Sequence, residues 1–235
     1  MSTSPSSSTL AALFLAAGLS LGGYFIGKGI SNRDAGSRVI SVKGLSEREE
    51  PASIAIWTLG YNVTGNDLPE INTKLAGSTK AVMAYLKTAG FDDAELSQQP
   101  PSIRDLSLQE RDKDAQPPPY RYTASQSVLL RTNKVDKVKP AVAGTSALMD
   151  SGVMLNSGNQ PKYIFDRLNE VKPGMIEEAT KNARVAGEQF ARDSNIKLGR
   201  LRDASQGWFQ VEDRDEATPE RKVVRVVVEV RFEIE

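Results

Sequence analysis

The C-terminal segment Lys222–Glu235 carries the most regular pattern in the sequence and constrains the fold most. Its apolar residues alternate with mostly charged ones at a period of two, which is typical of a β-strand with one buried face. The apolar side comprises Val224, Val226, Val228, Val230, Phe232 and Ile234. Burying these side chains removes apolar surface worth roughly 9–18 kcal/mol from water, as an upper bound. We therefore predict a central antiparallel strand that other elements cover.

Two more long strands are predicted at Ser53–Thr64 and Tyr120–Thr132, each with one apolar face. In the first strand that face holds Ala55, Trp57, Leu59, Tyr61 and Val63, and in the second it holds Tyr122, Ala124, Val128 and Leu130. Shorter strands are predicted at Arg38–Leu45, Ser102–Leu108 and Tyr163–Leu168, and the segments Ile196–Arg202 and Gly207–Val211 are predicted to form one or two more. The charged segment Glu47–Pro51 is predicted to form the turn between the first two strands.

Three helices are predicted between these strands. The first follows Asn66 or Asp67 as N-cap and stops at Gly90, and the second runs from Asn133 to about Met149 with Pro140 kinking it or marking its first turn. The third runs from Pro173 to about Asp193. Its apolar stripe comprises Met175, Ala179, Ala183, Ala186 and Phe190. Because the alanines are small, we expect this helix to pack closely against a sheet.

The order of elements predicts the fold class. Strands come in pairs joined by loops, and a helix follows most pairs, an arrangement typical of α+β proteins. We predict a mainly antiparallel sheet with helices packed on one face, formed by a single domain at residues 38–235.

The N-terminal part predicts a membrane anchor. Residues 1–9 are rich in Ser and predict disorder, whereas Leu10–Gly27 is uncharged over about 18 apolar or small residues, the length of a membrane-spanning helix. We predict an uncleaved anchor within residues 10–30 and a polar linker at 31–37. A cleaved signal peptide and a buried core helix are the alternatives, although the first would need a basic n-region that is missing here.

Charge gives a weak orientation signal for this anchor. Lys28, Arg33 and Arg38 follow the apolar segment and no Lys or Arg precedes it. The positive-inside rule then favours a cytoplasmic main domain, but long domains translocate regardless of such charges.

Composition excludes several classes of protein. The chain has no Cys and no His, which removes disulfides, thiolate catalysis, Cys- or His-ligated zinc and Ser-His-Asp catalysis. Lys and Arg number 30 and balance the 30 Asp and Glu, so a general basic surface for nucleic acid is absent. We predict no catalytic, cofactor-binding or metal-binding residues, no cofactor and no enzyme activity.

The alternatives to a chain without binding or catalytic sites depend on a few charged clusters. Asp112–Asp114 and Glu212–Glu216 are interpreted as solvated hairpin tips rather than divalent-cation sites, because each contains a basic residue. The lysines at 134, 137 and 139 are interpreted as a solvated helix start rather than a phosphate or lipid headgroup site. A catalytic function would have to depend on carboxylates such as Glu177 and Glu178.

Several segments resemble the SIMPL-domain family of bacterial envelope proteins. They are Val39–Glu49, Ala55–Leu59, Tyr85–Phe91, Lys172–Arg184 and Asp193–Leu201, and Tyr24–Ile30 is similar to membrane-anchored members. The resemblance implies export to the periplasm, an α+β fold and assembly into hollow, ring-like homo-oligomers. Some members are linked to oxidative-stress defence, but the resemblance supplies no catalytic motif.

These observations lead to two functional hypotheses. The first is a scaffold in the inner membrane, anchored through Leu10–Gly27, whose periplasmic domain associates with copies of itself through strand edges and helix faces. The second is a binding module for an envelope ligand or partner protein, with a groove or ring lumen lined by Arg104, Arg121, Arg131 or Arg225. The identity of the ligand stays open.

Overall fold

The computed structural model describes residues 16–28, 38–108 and 118–234. The helices are α1 (16–28), α2 (Leu68–Thr88), α3 (Val135–Ala143), α4 (Ser146–Asp150) and α5 (Leu168–Asp193). The strands are β1 (Val39–Pro51), β2 (Ile54–Gly65), β3 (Leu96–Gln98), β4 (Ser102–Asp105), β5 (Tyr122–Thr132), β6 (Met154–Leu155), β7 (Lys162–Ile164), β8 (Leu198–Gln206), β9 (Gln210–Asp213) and β10 (Arg221–Ile234). The predicted α+β class is confirmed.

The strands form two sheets instead of the single one predicted. A four-stranded sheet has the order β1-β10-β8, with β9 also paired to β10, and a six-stranded sheet has β5 and β2 at its centre, flanked by β3, β4, β6 and β7. The period-two patterns of β2 and β10 predict strands with a covered face, but they carry no information about which strands share a sheet. The predicted central position of β10 is confirmed, and Val224, Val226, Val228, Val230 and Phe232 are buried on it.

The chain forms two compact units. The first comprises the described residues within 1–46, 175–208 and 226–235, and the second comprises those within 47–174 and 209–225. The single domain predicted for residues 38–235 stays a prediction.

In the first unit, α5 lies directly on β1. A Cβ atom on Gly44 would lie 1.9 Å from the carbonyl oxygen of Ala179 and 2.4 Å from the backbone nitrogen of Ala183. Only a residue without a side chain fits there, because the backbones of helix and strand are in contact. The predicted close packing of this helix is therefore confirmed.

The buried stripe of α5 differs from the predicted one. Its buried residues step by four and are Met175, Ala179, Ala183, Gly187 and Ala191. The prediction was wrong at Ala186 and Phe190, which are both exposed. It stepped by three after Ala183, whereas the helix keeps its i, i+4 row against the sheet and uses Gly187 to approach Phe232.

In the second unit, α2 covers one face of β2 and β5. The predicted apolar face of β2 is confirmed, since Trp57, Leu59 and Tyr61 are fully buried. They join Val128 and Leu130 of β5 in one core cluster with the buried side of α2, which comprises Ile71, Leu75, Val82 and Leu86. Strands β2 and β5 pair without a register break from Ala55↔Thr132 to Gly65↔Tyr122.

A buried hydrogen-bonded chain crosses this core. The hydroxyl groups of Tyr61 and Thr79 lie 2.7 Å apart, and Thr79 donates to Gln126 Oε1 at 3.0 Å or to the Leu75 carbonyl at 2.9 Å. Burial raises the pKa of Tyr61. The three polar side chains therefore satisfy one another inside an apolar environment.

Three element boundaries differ from the predicted ones. Glu47–Pro51 continues β1 and is not a turn, and its residues alternate between exposed and half-buried as an edge strand does. Helix α5 begins at Leu168, so that Pro173 lies inside it. The predicted helix 133–149 is interrupted after Ala143 and forms α3 and α4, with Pro140 inside α3.

The N-terminal predictions fall largely outside the described residues. Residues 16–28 are helical, and none of the helices in the described ranges is long and apolar enough to cross a membrane. Residues 1–15 and 29–37 are outside those ranges, so the disordered terminus, the linker and the anchor at Leu10–Gly27 stay predictions.

Candidate functional site

Strand β8 forms an open edge of the four-stranded sheet. It pairs antiparallel with β10 from Val228↔Gln206 to Ile234↔Leu198, with register shifts between Arg231 and Phe232 and between Phe232 and Ile234. Among the described residues no strand pairs with its other side. Every residue from Arg200 to Gln206 is exposed. An edge of this kind offers a row of backbone donors and acceptors to another strand.

A large apolar side chain stands at the end of this edge. Trp208, two residues beyond β8, is 93% exposed, and Leu201 within the strand is 55% exposed. The Gly207 N–H donates to the Val227 carbonyl at 2.9 Å, which fixes the backbone directly before Trp208. An exposed Trp on a fixed backbone is typical of the residues that dominate protein interfaces.

Adjacent opposite charges lie in the middle of β8. Arg202 and Asp203 are exposed, and neither has an ion pair within the described residues. The neighbouring Arg200 lies 3.9 Å from Glu233 on β10. The surface of β8 therefore combines an uncommitted cation, an uncommitted anion and two exposed apolar side chains.

A second candidate site lies in the six-stranded sheet, on the face of β2 and β5 opposite the core. It is a groove of about 330 Å³ without any charged lining residue. Hydroxyl groups of Thr58, Ser102, Ser125 and Ser127 line it, together with the loop Asn156–Asn159. Such a surface suits an uncharged ligand that exchanges hydrogen bonds.

The loop beside this groove is held by the side chain of Asn159. Its Nδ2 donates to the Gly60 carbonyl at 3.0 Å, its Oδ1 accepts from the Gly60 N–H at 3.1 Å, and its carbonyl accepts from Trp57 Nε1 at 2.6 Å. The carboxamide thus replaces a strand in the gap between β6 and β7, the two strands that pair with that side of β2. The Oδ1 atom of the nearby Asn156 is buried and has no hydrogen-bond partner among the described residues.

The predicted arginines do not converge on either site. Arg121 pairs with Asp105 at 3.0 Å. Hydrogen bonds from Ser107 and Arg121 lower the pKa of Asp105 to about 2. Arg104, Arg131 and Arg225 are exposed, without an ion pair in the described part of the chain. None of the four lines the polar groove.

The carboxylates singled out in the sequence are dispersed. Glu178 accepts a hydrogen bond from Ser46 at 3.0 Å, whereas Glu177, the next residue of α5, is exposed. Within the described ranges no group of three or more acidic side chains could hold a metal ion. The cluster Asp112–Asp114 lies outside those ranges.

The second acidic cluster is a hairpin tip, as predicted. Asp213 pairs with Lys222, and Asp215 accepts from Arg214 at 2.9 Å and from the Thr218 hydroxyl at 2.7 Å. The hydrogen bond from Thr218, more than that from Arg214, lowers the pKa of Asp215 to about 2.

Most of the predicted lysine cluster is engaged within the chain. Lys134 binds Asp92 at 2.6 Å and Glu95 at 2.9 Å. Lys139 binds Glu220 at 2.9 Å, and Lys137 reaches the Gly90 carbonyl at 3.5 Å. The phosphate alternative therefore gains no support from their geometry.

The residues that define both sites were not predicted from the sequence. Trp208 was included in the predicted strand Gly207–Val211, because Trp is enriched in strands, and nothing in the local sequence indicated that it would be exposed. The segment Asn156–Asn159, Asn-Ser-Gly-Asn, has the composition of a turn. That composition does not indicate that one Asn closes a gap at the side of a strand.

Comparisons with known proteins identify a family but no activity. A sequence profile of the SIMPL family, described as a protein of unknown function (DUF541), matches residues 40–232. Among curated proteins no match is found.

Solved structures give only distant matches. A hydrolase from Listeria innocua is 13% identical, and the match covers 88% of this chain and 97% of that one at a TM-score of 0.23. An uncharacterized conserved protein from the same organism is 11% identical over 81% of this chain and 92% of that one, at a TM-score of 0.22. TM-scores this low do not establish a shared fold.

Proposed function

The chain belongs to the SIMPL family, and on that premise we propose that it is an envelope scaffold that associates with copies of itself. In this proposal Leu10–Gly27 anchors the chain in the inner membrane and the folded part faces the periplasm. Support for the anchor comes from the uncharged apolar sequence, and support for export comes from the family resemblance. A role in stress defence would be exercised by the assembled particle.

The observation that carries the proposal is the open edge at β8. Its residues from Arg200 to Gln206 are exposed, and Trp208 lies almost fully in solvent beside them. A free edge and an exposed aromatic anchor are the two elements that strand-to-strand association uses.

The experiment is a mass measurement on the full-length chain in detergent. Light scattering across a concentration series, corrected for bound detergent, is expected to give a multiple of the 25.6 kDa chain mass. A chain mass of 25.6 kDa at every concentration would overturn the proposal.

The polar groove favours a second candidate, a binding module. Its uncharged lining, rich in hydroxyl groups, suits a ligand that exchanges hydrogen bonds. The test is native mass spectrometry of the protein extracted from cell envelopes, beside a Ser127→Phe variant that fills the groove. A bound mass that the variant loses supports this candidate, and identical spectra overturn it.

No catalytic role is part of either candidate. The pKa values of Glu95, Asp105, Asp215 and Glu220 are all lowered, whereas a carboxyl group that donates a proton near neutral pH needs a raised one. The two glutamates considered for catalysis, Glu177 and Glu178, share no site.

A further inference from the structure

We propose that the six-stranded sheet binds an acidic polysaccharide on the face opposite its core, which carries Thr58 and Gly60 of β2 and which we call the outer face. This inference rests on the second candidate function, the binding module, and assigns the chemical class of its ligand. Neutral hydroxyl groups of such a ligand lie in the polar groove. Its acidic groups lie on Arg131 and Lys162 at one end of the outer face and on Arg104 at the other.

One end of the outer face carries two cations in the same row of the sheet. Ile56 of β2 is opposed by Arg131 of β5 on one side and by Lys162 of β7 on the other. Opposed residues of an antiparallel ladder share a face, and so does every second residue along β2, which places both cations on the side of Gly60. Both are exposed, and neither has an ion pair within the described residues. An acidic group above Ile56 therefore meets two uncommitted cations.

The opposite end of the outer face carries a third cation. Arg104 of β4 is opposed to Thr123 of β5, which is itself opposed to Thr64 of β2. Alternation along β2 puts this row on the same face as Ile56. Arg104 is exposed and has no ion pair in the described ranges. At about 3.4 Å per residue the two rows lie roughly 27 Å apart, so a polymer reaches both ends whereas a single small ligand does not.

The six strands carry their charges asymmetrically. They contain three basic residues, all on the outer face, and one acidic residue, Asp105. Asp105 is opposed to Tyr122 on the other face and pairs with Arg121. The strands therefore present a positive outer face in a chain whose formal net charge is zero. A surface charged in this way attracts polyanions.

Between the two ends the outer face is small, polar and neutral. Gly60 is opposed to Ser127 halfway between the two charged rows, and Asn62 is opposed to Ser125. The groove of about 330 Å³ lies over the row of Gly60, where one residue has no side chain and the other has a short one. The hydroxyl groups that line it both donate and accept hydrogen bonds, as the hydroxyl groups of a sugar do, whereas a carboxylate only accepts.

This combination favours a polysaccharide over other polyanions. An extended peptide gains affinity from backbone hydrogen bonds to a sheet edge, whereas the outer face presents side chains. A lipid surface is bound through apolar side chains beside the cations, and the middle of this face is polar. An anionic polymer rich in hydroxyl groups matches both the neutral middle and the charged ends.

Isothermal titration calorimetry of the full-length chain in detergent tests the ligand class with three probes. Oligogalacturonate carries a carboxylate and hydroxyl groups on each sugar, dextran of the same length carries hydroxyl groups only, and poly-L-glutamate carries carboxylates only. We expect oligogalacturonate to bind at least roughly tenfold more tightly than either of the others. Equal binding of polyglutamate would identify an acidic peptide as the ligand class and overturn the proposal, and so would a failure of oligogalacturonate to bind.

Variants at exposed positions locate the contact. The double variant Arg131→Ala/Lys162→Ala should raise the dissociation constant for oligogalacturonate roughly tenfold, and Arg104→Ala should raise it less, because one cation is removed instead of two. Arg225→Ala is the matched control, since Arg225 is also exposed without an ion pair in the described part of the chain but lies on β10 of the other sheet. It should leave the constant unchanged. An equal loss in Arg225→Ala would indicate unspecific charge attraction and overturn the site.

Salt separates the charged ends of the site from its neutral middle. Sodium chloride at about 1 M shortens the screening length to about 3 Å, so binding should weaken, and the double variant Arg131→Ala/Lys162→Ala should lose most of this dependence. Ser127→Phe fills the groove and should weaken binding at every salt concentration. Thermal unfolding followed by circular dichroism shows which variants fold, and the exposed charge variants decide the matter if Ser127→Phe does not. An unchanged salt dependence in the double variant would contradict the assignment of its two cations.

The outcomes distinguish this inference from the candidate function on which it rests. If native mass spectra show a bound mass that Ser127→Phe loses, but oligogalacturonate does not bind, the ligand class is wrong and the binding module stands. If the spectra show no such mass and oligogalacturonate does not bind, both fall.

Discussion

The two tryptophans of this chain lie beside strands with opposite surroundings. Trp57 in β2 is fully buried, and its indole N–H donates to the Asn159 carbonyl. Trp208, after β8, is 93% exposed. Strand β2 has β5 on one side and β6 and β7 on the other, whereas β8 has only β10 among the described strands.

This difference separates residues that stabilise the chain from residues available to a partner. Around β2 even the gap between β6 and β7 is closed, since the Asn159 carboxamide takes both backbone groups of Gly60. On the open side of β8, no strand within the described residues pairs with the backbone. The two strands therefore should respond to substitution in different measurements, one in unfolding and the other in association.

The largest expected effect comes from truncating the buried tryptophan. Trp57→Ala should lower the free energy of unfolding by roughly 3–5 kcal/mol, the usual cost of removing a large core aromatic. Trp208→Ala is the matched control and should change it by less than about 0.5 kcal/mol, as for other surface sites. Urea denaturation measures both. Similar losses in the two variants would show that the exposed Trp208 contributes to stability as much as the buried Trp57 does.

A substitution at the contact between α5 and β1 should cause the next largest loss of stability. Gly44→Ala places a Cβ 1.9 Å from the Ala179 carbonyl oxygen, so the helix must shift. We expect a loss at the upper end of the roughly 1–3 kcal/mol typical of overpacking.

A glycine in open space is the control for Gly44. Gly77 lies in α2, and a Cβ atom added to it would have nothing within 4 Å, so Gly77→Ala should stabilise the protein by roughly 0.4–1 kcal/mol. Thermal unfolding followed by circular dichroism distinguishes the two. A neutral Gly44→Ala would mean that α5 does not lie against β1 as described.

A smaller loss of stability is expected at Asn159, whose side chain hydrogen-bonds the backbone of β2 between the segments paired with β6 and β7. Asn159→Ala removes both hydrogen bonds to Gly60 and should destabilise the protein by roughly 1–2 kcal/mol. The effect should also appear as faster amide hydrogen exchange at Gly60. Ser157→Ala, on the exposed part of the same loop, should leave both quantities unchanged.

The smallest expected effect is a loss of stability at low pH that comes from Asp105, in the six-stranded sheet. The pKa of Asp105 in the folded chain is about 2, below its usual 3.8, because Ser107 and Arg121 hydrogen-bond the carboxylate. A lowered pKa contributes stability that is present above the usual value and is lost as pH falls through the folded one. Stability should therefore decline between about pH 4 and pH 2.

The Asp105→Asn variant isolates this contribution. It should be less stable than the wild-type chain near neutral pH, and the difference between the two should shrink toward pH 2. Denaturation midpoints at several pH values measure it. A constant difference across the range would show that the carboxylate is not held in its charged form by these partners.

The sequence was sufficient to predict the strands with a strict period of two. The buried faces of β2, β5 and β10 follow from alternation alone, because in a strand every second residue faces the same side. The small alanines of α5 also indicated its close packing on a sheet. They did not indicate which glycine of the sheet would be in contact with it, since Gly44 is separated from Ala179 by most of the chain.

The candidate sites were much less predictable, for physical reasons. Arg202 and Asp203 are ordinary charges in the sequence, and they become notable only because β8 lies at an edge and no partner reaches them within the described chain. Likewise, the role of Asn159 depends on a gap in the pairing of β2. Pairing between distant segments decides both features, and local sequence patterns do not encode it.

The opposite edge of the four-stranded sheet differs from the edge at β8. Strand β1 lies there, and the order β1-β10-β8 leaves each chain with two different edges. One edge, β8, is exposed on both faces over Arg200–Gln206, whereas β1 is partly covered by α5 at Gly44. The two edges therefore cannot be exchanged for one another in a contact with another molecule.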